Sequence, residues 1–206
     1  MKYNNIIFDL DGTLWDTASE IAHSWQKALK DLPDIEKLPT SKDLEKVMGL
    51  PADELMAGLF PYLSPERGIE IFNYVAKIEN AYLREHGGNL YNGLIEVLEK
   101  LSKTHKLFIV SNCNDGYIDS FLDAHNTEKF FTDYECVGRT GLLKADNIKL
   151  VIERNQLENT VYVGDTALDY RSATEAGIPF IFAAYGFGSV EGTPKINSLS
   201  ELLDMV

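Results

Sequence analysis

Two apolar runs in this chain end in acids. The first, Ile6-Ile7-Phe8-Asp9-Leu10-Asp11-Gly12-Thr13, carries two aspartates two positions apart; the second, Val161-Tyr162-Val163-Gly164-Asp165, is followed by Asp169. In an extended segment alternate side chains share a face, so Asp9 and Asp11 present their carboxylates together. Neighbouring carboxylates repel, and a hard divalent cation such as Mg2+ offsets that repulsion. The chemistry this favours is phosphate chemistry. An Asp at a strand end is a usable nucleophile toward phosphorus, and a second one whose pKa is raised by its neighbour serves as general acid and base. Gly12 lets the chain turn where the side chains must face a ligand. Read alone, Asp-Gly is also an ordinary turn that Asp11 caps.

Three further places carry usable groups. Ser111-Asn112 ends the run Leu107-Phe108-Ile109-Val110, where a hydroxyl and a backbone N–H are able to bind phosphoryl oxygens; alone it also reads as a polar strand end entering a loop. Lys144 follows Gly138-Arg139-Thr140-Gly141-Leu142-Leu143, and a cation there neutralises a cleft full of acids, although most single lysines are solvated. Asp165 and Asp169 stand four apart at a helix start, able to face one ion, or simply to cap the helix. Cys113 has no base assigned to activate it as a nucleophile.

The elements that must position these groups follow from periodicity. Unalternating apolar runs indicate strands buried on both faces of a parallel sheet, whose ligand crevice lies at the carboxyl ends of the strands. After the first strand the sequence reads as helical over 18–32, 41–48, 52–59 and 65–84, with starts marked by Ser41, Pro51 and Ser64-Pro65 and a stop at Gly87-Gly88. From Asn92 helices and strands alternate: helix 94–101, strand 107–110, helix 146–154, strand 161–163, helix 170–176, strand 180–183, and a short terminal helix from Ser200. This pattern predicts an α/β fold, a doubly wound parallel sheet with an inserted α-helical cap. The expected division is a Rossmann-like core over 1–16 and 89–206 and a cap over 17–88 that closes over the crevice.

Composition sets outer bounds. At 206 residues and 45% hydrophobic, the chain buries a full core. A net charge of −13 argues against a nucleic acid polymer or an anionic membrane as partner. No window approaches a membrane span, and the polar opening Met1-Lys2-Tyr3-Asn4-Asn5 does not read as a secretion signal, so a cytoplasmic location is expected. Cys113 and Cys136 have no metal-binding spacing and read as reduced thiols.

Taken in order, the four segments resemble the motifs of the haloacid dehalogenase superfamily, most closely its phosphoglycolate phosphatase-like branch with a helical cap after the first strand. The likeness covers nearly the whole chain. It implies that Asp9 attacks phosphorus to give an aspartyl-phosphate, while Asp11 protonates the leaving alkoxide and later deprotonates water. It implies that Mg2+ is held by Asp9, the main-chain carbonyl of Asp11, Asp165 and Asp169, and that Ser111, Asn112 and Lys144 hold the phosphoryl oxygens. Thr13, also counted with the substrate-binding residues, is expected to orient Asp11. Two departures stand out: Ala145 follows Lys144 where the phosphatases often have Pro, and Tyr91-Asn92-Gly93 stands where many have Pro before the Gly. In the cap, Val47-Met48-Gly49-Leu50-Pro51 resembles the loop that contacts the leaving group, and Lys46 reads as a solvated helix lysine.

The implied activity is a Mg2+-dependent phosphatase acting on a small phosphorylated metabolite of phosphoglycolate, sugar phosphate or nucleotide type, working as a monomer or weak homodimer. Asp11 separates this from a dehalogenase, whose halide leaving group needs no proton. A sugar phosphomutase of the same superfamily and a noncatalytic phosphate-binding or regulatory protein are the alternatives.

Overall fold

In the computed structural model, which describes residues 2–206, the chain opens with β1 (Asn5–Phe8) and a short strand β2 (Trp15–Asp16). Four helices follow, α1 (Ala18–Leu29), α2 (Ser41–Glu45), α3 (Ala52–Leu59) and α4 (Pro65–His86), before β3 (Asn89–Leu90). The rest alternates: α5 (Leu94–Leu101), β4 (Lys106–Ser111), α6 (Tyr117–His125), β5 (Phe131–Cys136), α7 (Val137–Thr140), α8 (Lys144–Asn155), β6 (Thr160–Gly164), α9 (Ala167–Glu175), β7 (Phe180–Ala183) and β8 (Lys195–Ile196). A 3-10 turn over Leu199–Asp204 closes the chain.

The main sheet is parallel, in the order β5-β4-β1-β6-β7-β8. Its central strands are apolar on both faces because both are covered. Ile6 and Phe8 of β1 face the cluster that holds Leu94, Val97 and Leu98 of α5 and Phe121 of α6. Ile7, with Phe108 and Tyr162 beside it, faces Ile148 and Val151 of α8 and Ala173 of α9. This is the doubly wound sheet the sequence predicts, with the inserted helices as its cap.

Register brings the chemistry to one edge. Phe8 lies opposite Ile109 and Val163, so Asp9 and Asp165, which follow β1 and β6, emerge with Ser111, the last residue of β4, at the carboxyl end of the sheet. The cap leaves and returns through an antiparallel ribbon in which Trp15 pairs with Leu90 and Asp16 with Asn89. Within the cap, α1 and α4 are joined by Trp25, buried between them, whose indole Nε1 donates to Glu79 at 2.6 Å. Burying one large apolar side chain contributes roughly 1.5–3 kcal/mol.

Helix limits differ from expectation where local chemistry overrides periodicity. The first helix stops at Leu29 instead of running to Leu32, because Pro33 disfavours helical backbone in the residue before it. The second begins at Ser41 as expected, but its N-cap is Thr40, in a reciprocal box with Asp43. It ends at Glu45, and Gly49 then adopts a left-handed φ of 79°. The sequence reading carries no element between the Ser111-Asn112 motif and Lys144, where the structure has α6, β5 and α7. β5 is an edge strand with the mixed sequence Phe-Thr-Asp-Tyr-Glu-Cys, so it shows neither an apolar run nor clean alternation. The terminal turn is 3-10 and docks through buried Leu199 and Leu202.

Candidate active site

Asp9, Asp11, Lys144, Asp165 and Asp169 are all buried at the carboxyl edge of the sheet. Isolated buried charges are costly, so each must have partners. Lys144, at the start of α8, donates from Nζ to Asp9 Oδ1 at 2.8 Å and to Asp169 Oδ1 at 2.6 Å. It is therefore no solvated surface lysine but the cation of the cluster. Asp169 also caps α9: its Oδ2 accepts from the Thr166 backbone N–H at 2.9 Å and the Thr166 hydroxyl at 2.7 Å. Capping and site geometry are thus combined in one carboxylate, and the cap residue is Thr166 rather than Asp165. Asp165 Oδ2 accepts from the Phe187 backbone N–H at 2.7 Å, which draws the loop after β7 over the site. Gly12, at φ 80°, lies so close that a Cβ there would overlap the Asp165 carboxylate.

One carboxylate oxygen from each of Asp9, Asp165 and Asp169 lies within 4.8 Å of the others. Burial, then the charge of Asp169, pushes the Asp9 carboxyl up to about 7 against the pull of Lys144. Burial with the charges of Asp169 and Asp9 pushes Asp165 up to about 8. Burial works against the Lys144 charge, but Asp169 and Asp9 outweigh it and hold its pKa well above the ordinary value. Buried hard oxygen donors whose mutual repulsion one lysine does not fully relieve form a set that fits a hard divalent cation.

Asp11 is held differently. Its Oδ1 accepts from the Thr17 hydroxyl at 2.9 Å and the Tyr117 hydroxyl at 2.7 Å. Burial pushes Asp11 up to about 6, and the hydrogen bonds from Tyr117 and Thr17 pull the other way. The expectation that Thr13 orients Asp11 is corrected here: the Thr13 hydroxyl is buried 3.5 Å from Asp165 Oδ1, and Thr17 and Tyr117 hold Asp11 instead. Neither was found in the sequence. Tyr117 opens a helix that the sequence reading does not assign, 106 residues from Asp11.

Ser111 is buried at the end of β4, beside a cavity of about 50 Å³ between core and cap. The Asn112 side chain faces the cap rather than the acids, donating to the Gly49 carbonyl at 2.7 Å. Met48, Gly49 and Leu50 line this cavity. Glu79 of α4 lines it as well, buried, with Oε2 accepting from Trp25 and Oε1 from Asn114 Nδ2 at 3.2 Å. A signal for Glu79 is present in the sequence: it falls in the buried stripe Ile71, Val75, Glu79, Leu83, an acid at an apolar position.

Sheet order, cap insertion and buried acids together define a hydrolase of the haloacid dehalogenase type. Residues 6–183 match the haloacid dehalogenase-like hydrolase family, and the chain belongs to it. Among its relatives, a phosphoglycolate phosphatase of Aquifex aeolicus is 29% identical, covering 98% of this chain and 94% of that protein. A 5'-nucleotidase of Pseudomonas aeruginosa is 25% identical over 92% of this chain and 86% of its own. In fold, the chain superposes on a haloacid dehalogenase-like family hydrolase from Streptococcus pneumoniae with a TM-score of 0.85 at 24% identity, covering 99% of this chain and 98% of that one. No helix of the described residues is long and apolar enough to cross a membrane.

Proposed function

We propose that this hydrolase is a Mg2+-dependent phosphatase of small phosphomonoesters, acting through an aspartyl-phosphate on Asp9 with Asp11 as general acid and base. The observation that carries this reading is the buried convergence of Asp9, Lys144, Asp165 and Asp169 next to a separately held Asp11. The phosphatase and nucleotidase names of the relatives point the same way.

Asp9, the main-chain carbonyl of Asp11, Asp165 and Asp169 are the groups to hold Mg2+, which when bound neutralises the acids and polarises the phosphoryl oxygens. Ser111, the backbone N–H of Asn112 and Lys144 hold those oxygens, with Thr13 steadying the wall behind them. Asp9 attacks phosphorus as the bond to the leaving oxygen breaks, and Asp11 delivers its proton to that oxygen. A water then attacks the Asp9 acyl-phosphate, Asp11 takes its proton, and the Asp9–phosphorus bond breaks to release inorganic phosphate. An acid near pKa 6 suits both transfers close to neutral pH.

The test is phosphate release from a panel of small phosphomonoesters with Mg2+ or with excess chelator, with Asp9→Asn run beside the wild type. Release that needs both Mg2+ and Asp9 supports the reading. Transfer only to a sugar hydroxyl moves it to a mutase, and Mg2+ binding with no transfer moves it to a binding role.

A further inference from the structure

Glu79 sits where α4 should present an apolar side chain, four positions from Val75 and from Leu83, both fully buried. A carboxyl at such a position costs folding energy unless something uses it. Its two protein partners come from opposite sides of the seam, Trp25 from the cap and Asn114 from the core loop. Each takes one lone pair of one oxygen, so acceptor capacity remains on both oxygens, and the carboxyl lines the cavity that also exposes Asp11 and Ser111.

The rest of that wall supplies no compensating cation. Among the described residues the charged side chains lining the cavity are Asp11 and Glu79 alone; the cap contributes otherwise apolar groups such as Trp25, Leu50 and Phe72. Lys46 points to solvent with its side chain 74% exposed, 4.0 Å from Asp43. Lys144 is committed to Asp9 and Asp169 on the phosphoryl side.

From this lining we infer that Glu79 is a specificity-determining residue: it selects a phosphomonoester whose leaving group carries a hydrogen-bond donor, hydroxyl or ammonium, and rejects one that carries a carboxylate. The inference rests on the phosphatase reading for the word leaving group, but the recognition it describes is independent of turnover. Where Glu79 is ionised, a donor in this cavity finds free lone pairs on it, whereas a carboxylate enters a largely apolar wall beside a like charge that no cation offsets. Burial and the charge of Asp11 already push the Glu79 carboxyl up to about 8, in spite of the Trp25 hydrogen bond, and the same two causes oppose a second anion in this cavity. The phosphoglycolate phosphatase name of the Aquifex aeolicus relative therefore does not fix the substrate of this chain, because the glycolate leaving group carries a carboxylate.

The test uses three compounds matched in length: 2-hydroxyethyl phosphate, phosphoethanolamine and phosphoglycolate. Their kcat/KM values are measured with Mg2+ at pH 8.5, above the Glu79 value, for wild type and Glu79→Gln. The same compounds are titrated calorimetrically into Asp9→Asn and Asp9→Asn/Glu79→Gln to rank binding without turnover. The expected result is phosphoglycolate at least about tenfold below the better of the other two, with the gap closing by about fivefold or more in Glu79→Gln. A substitution acting only on stability lowers all three compounds alike and leaves the ratio unchanged. Phosphoglycolate equal to or better than the others in the wild type, or an unchanged ratio in Glu79→Gln, overturns the inference. Should Glu79→Gln fail to fold, the wild-type ranking decides by itself. Discriminating binding without phosphate release refutes the phosphatase reading and leaves this recognition standing; neither binding nor release refutes both.

Discussion

Asp11 and Asp9 stand two residues apart, yet the structure treats them oppositely. Asp9 is tied to a lysine among other acids, whereas Asp11 is tied through one oxygen to two neutral hydroxyls, those of Thr17 and Tyr117. Burial raises both carboxyls, Asp9 to about 7 and Asp11 to about 6, so the proposed division of labour needs the divalent cation, which would hold Asp9 ionised. Tyr117→Phe removes a hydrogen bond that holds the Asp11 pKa down, so Asp11 should titrate roughly one unit higher and kcat should fall by about tenfold. The measurement is the pH dependence of kcat, whose acid–base profile should move to higher pH; a lower kcat with an unmoved profile denies Tyr117 this positioning role. The sequence discloses Asp9, Asp11, Lys144, Asp165 and Asp169 because each stands just past a strand or in the first turn of a helix, in a recognisable string. Thr17, Tyr117 and Glu79 were not read from it. Thr17 and Tyr117 act through contacts between separate elements, and Glu79 is marked only by an acid in an apolar stripe, which periodicity alone does not interpret.

At the scale of elements, the joint between cap and core is the loop after α2 resting on the end of β4. The Asn112 side chain reaches the Gly49 carbonyl, while Asn80 of α4 donates to Asn114 Oδ1 at 2.7 Å. Asn112→Ala leaves that carbonyl without its partner and favours an open cap, so KM should rise by about fivefold while kcat changes less. Steady-state kinetics on the best substrate of the panel checks this, and an unchanged KM would mean that the joint has no part in closure. Elements with strong signals were legible: α3, α5 and β7 have the limits expected of them. What was not legible lies on the side of the sheet where β5 is the edge. Its alternation is broken because Asp133 and Glu135 are held by Arg154 of α8, at 2.6 and 2.7 Å, so polar groups fill positions that an apolar pattern would mark.

Over the whole molecule, the buried acids oppose an already strongly negative protein, with a net charge of −13. Asp9, Asp165 and Glu79 have folded-state values of about 7, about 8 and about 8, raised from 3.8, 3.8 and 4.5. A raised carboxyl favours the folded state most fully below its unfolded value, and that contribution is lost as pH rises through the folded one. Metal-free protein should therefore lose Tm between pH 5.5 and 8.5. Mg2+, which binds deprotonated acids, should raise Tm more at pH 8.5 than at 5.5. Thermal melts with chelator and with Mg2+ test both signs, and a Mg2+ shift that is larger at the acid end contradicts the assignment of these acids to the metal. The central claim is the covalent step on Asp9. Its most direct test is rapid acid quenching during turnover of the best substrate, followed by peptide mass spectrometry. The account predicts a hydroxylamine-sensitive phosphoryl group on the peptide containing Asp9, absent in Asp9→Asn, whose turnover should fall by at least about 10³-fold. Full turnover by Asp9→Asn, or a phosphoryl group on another residue, would contradict it.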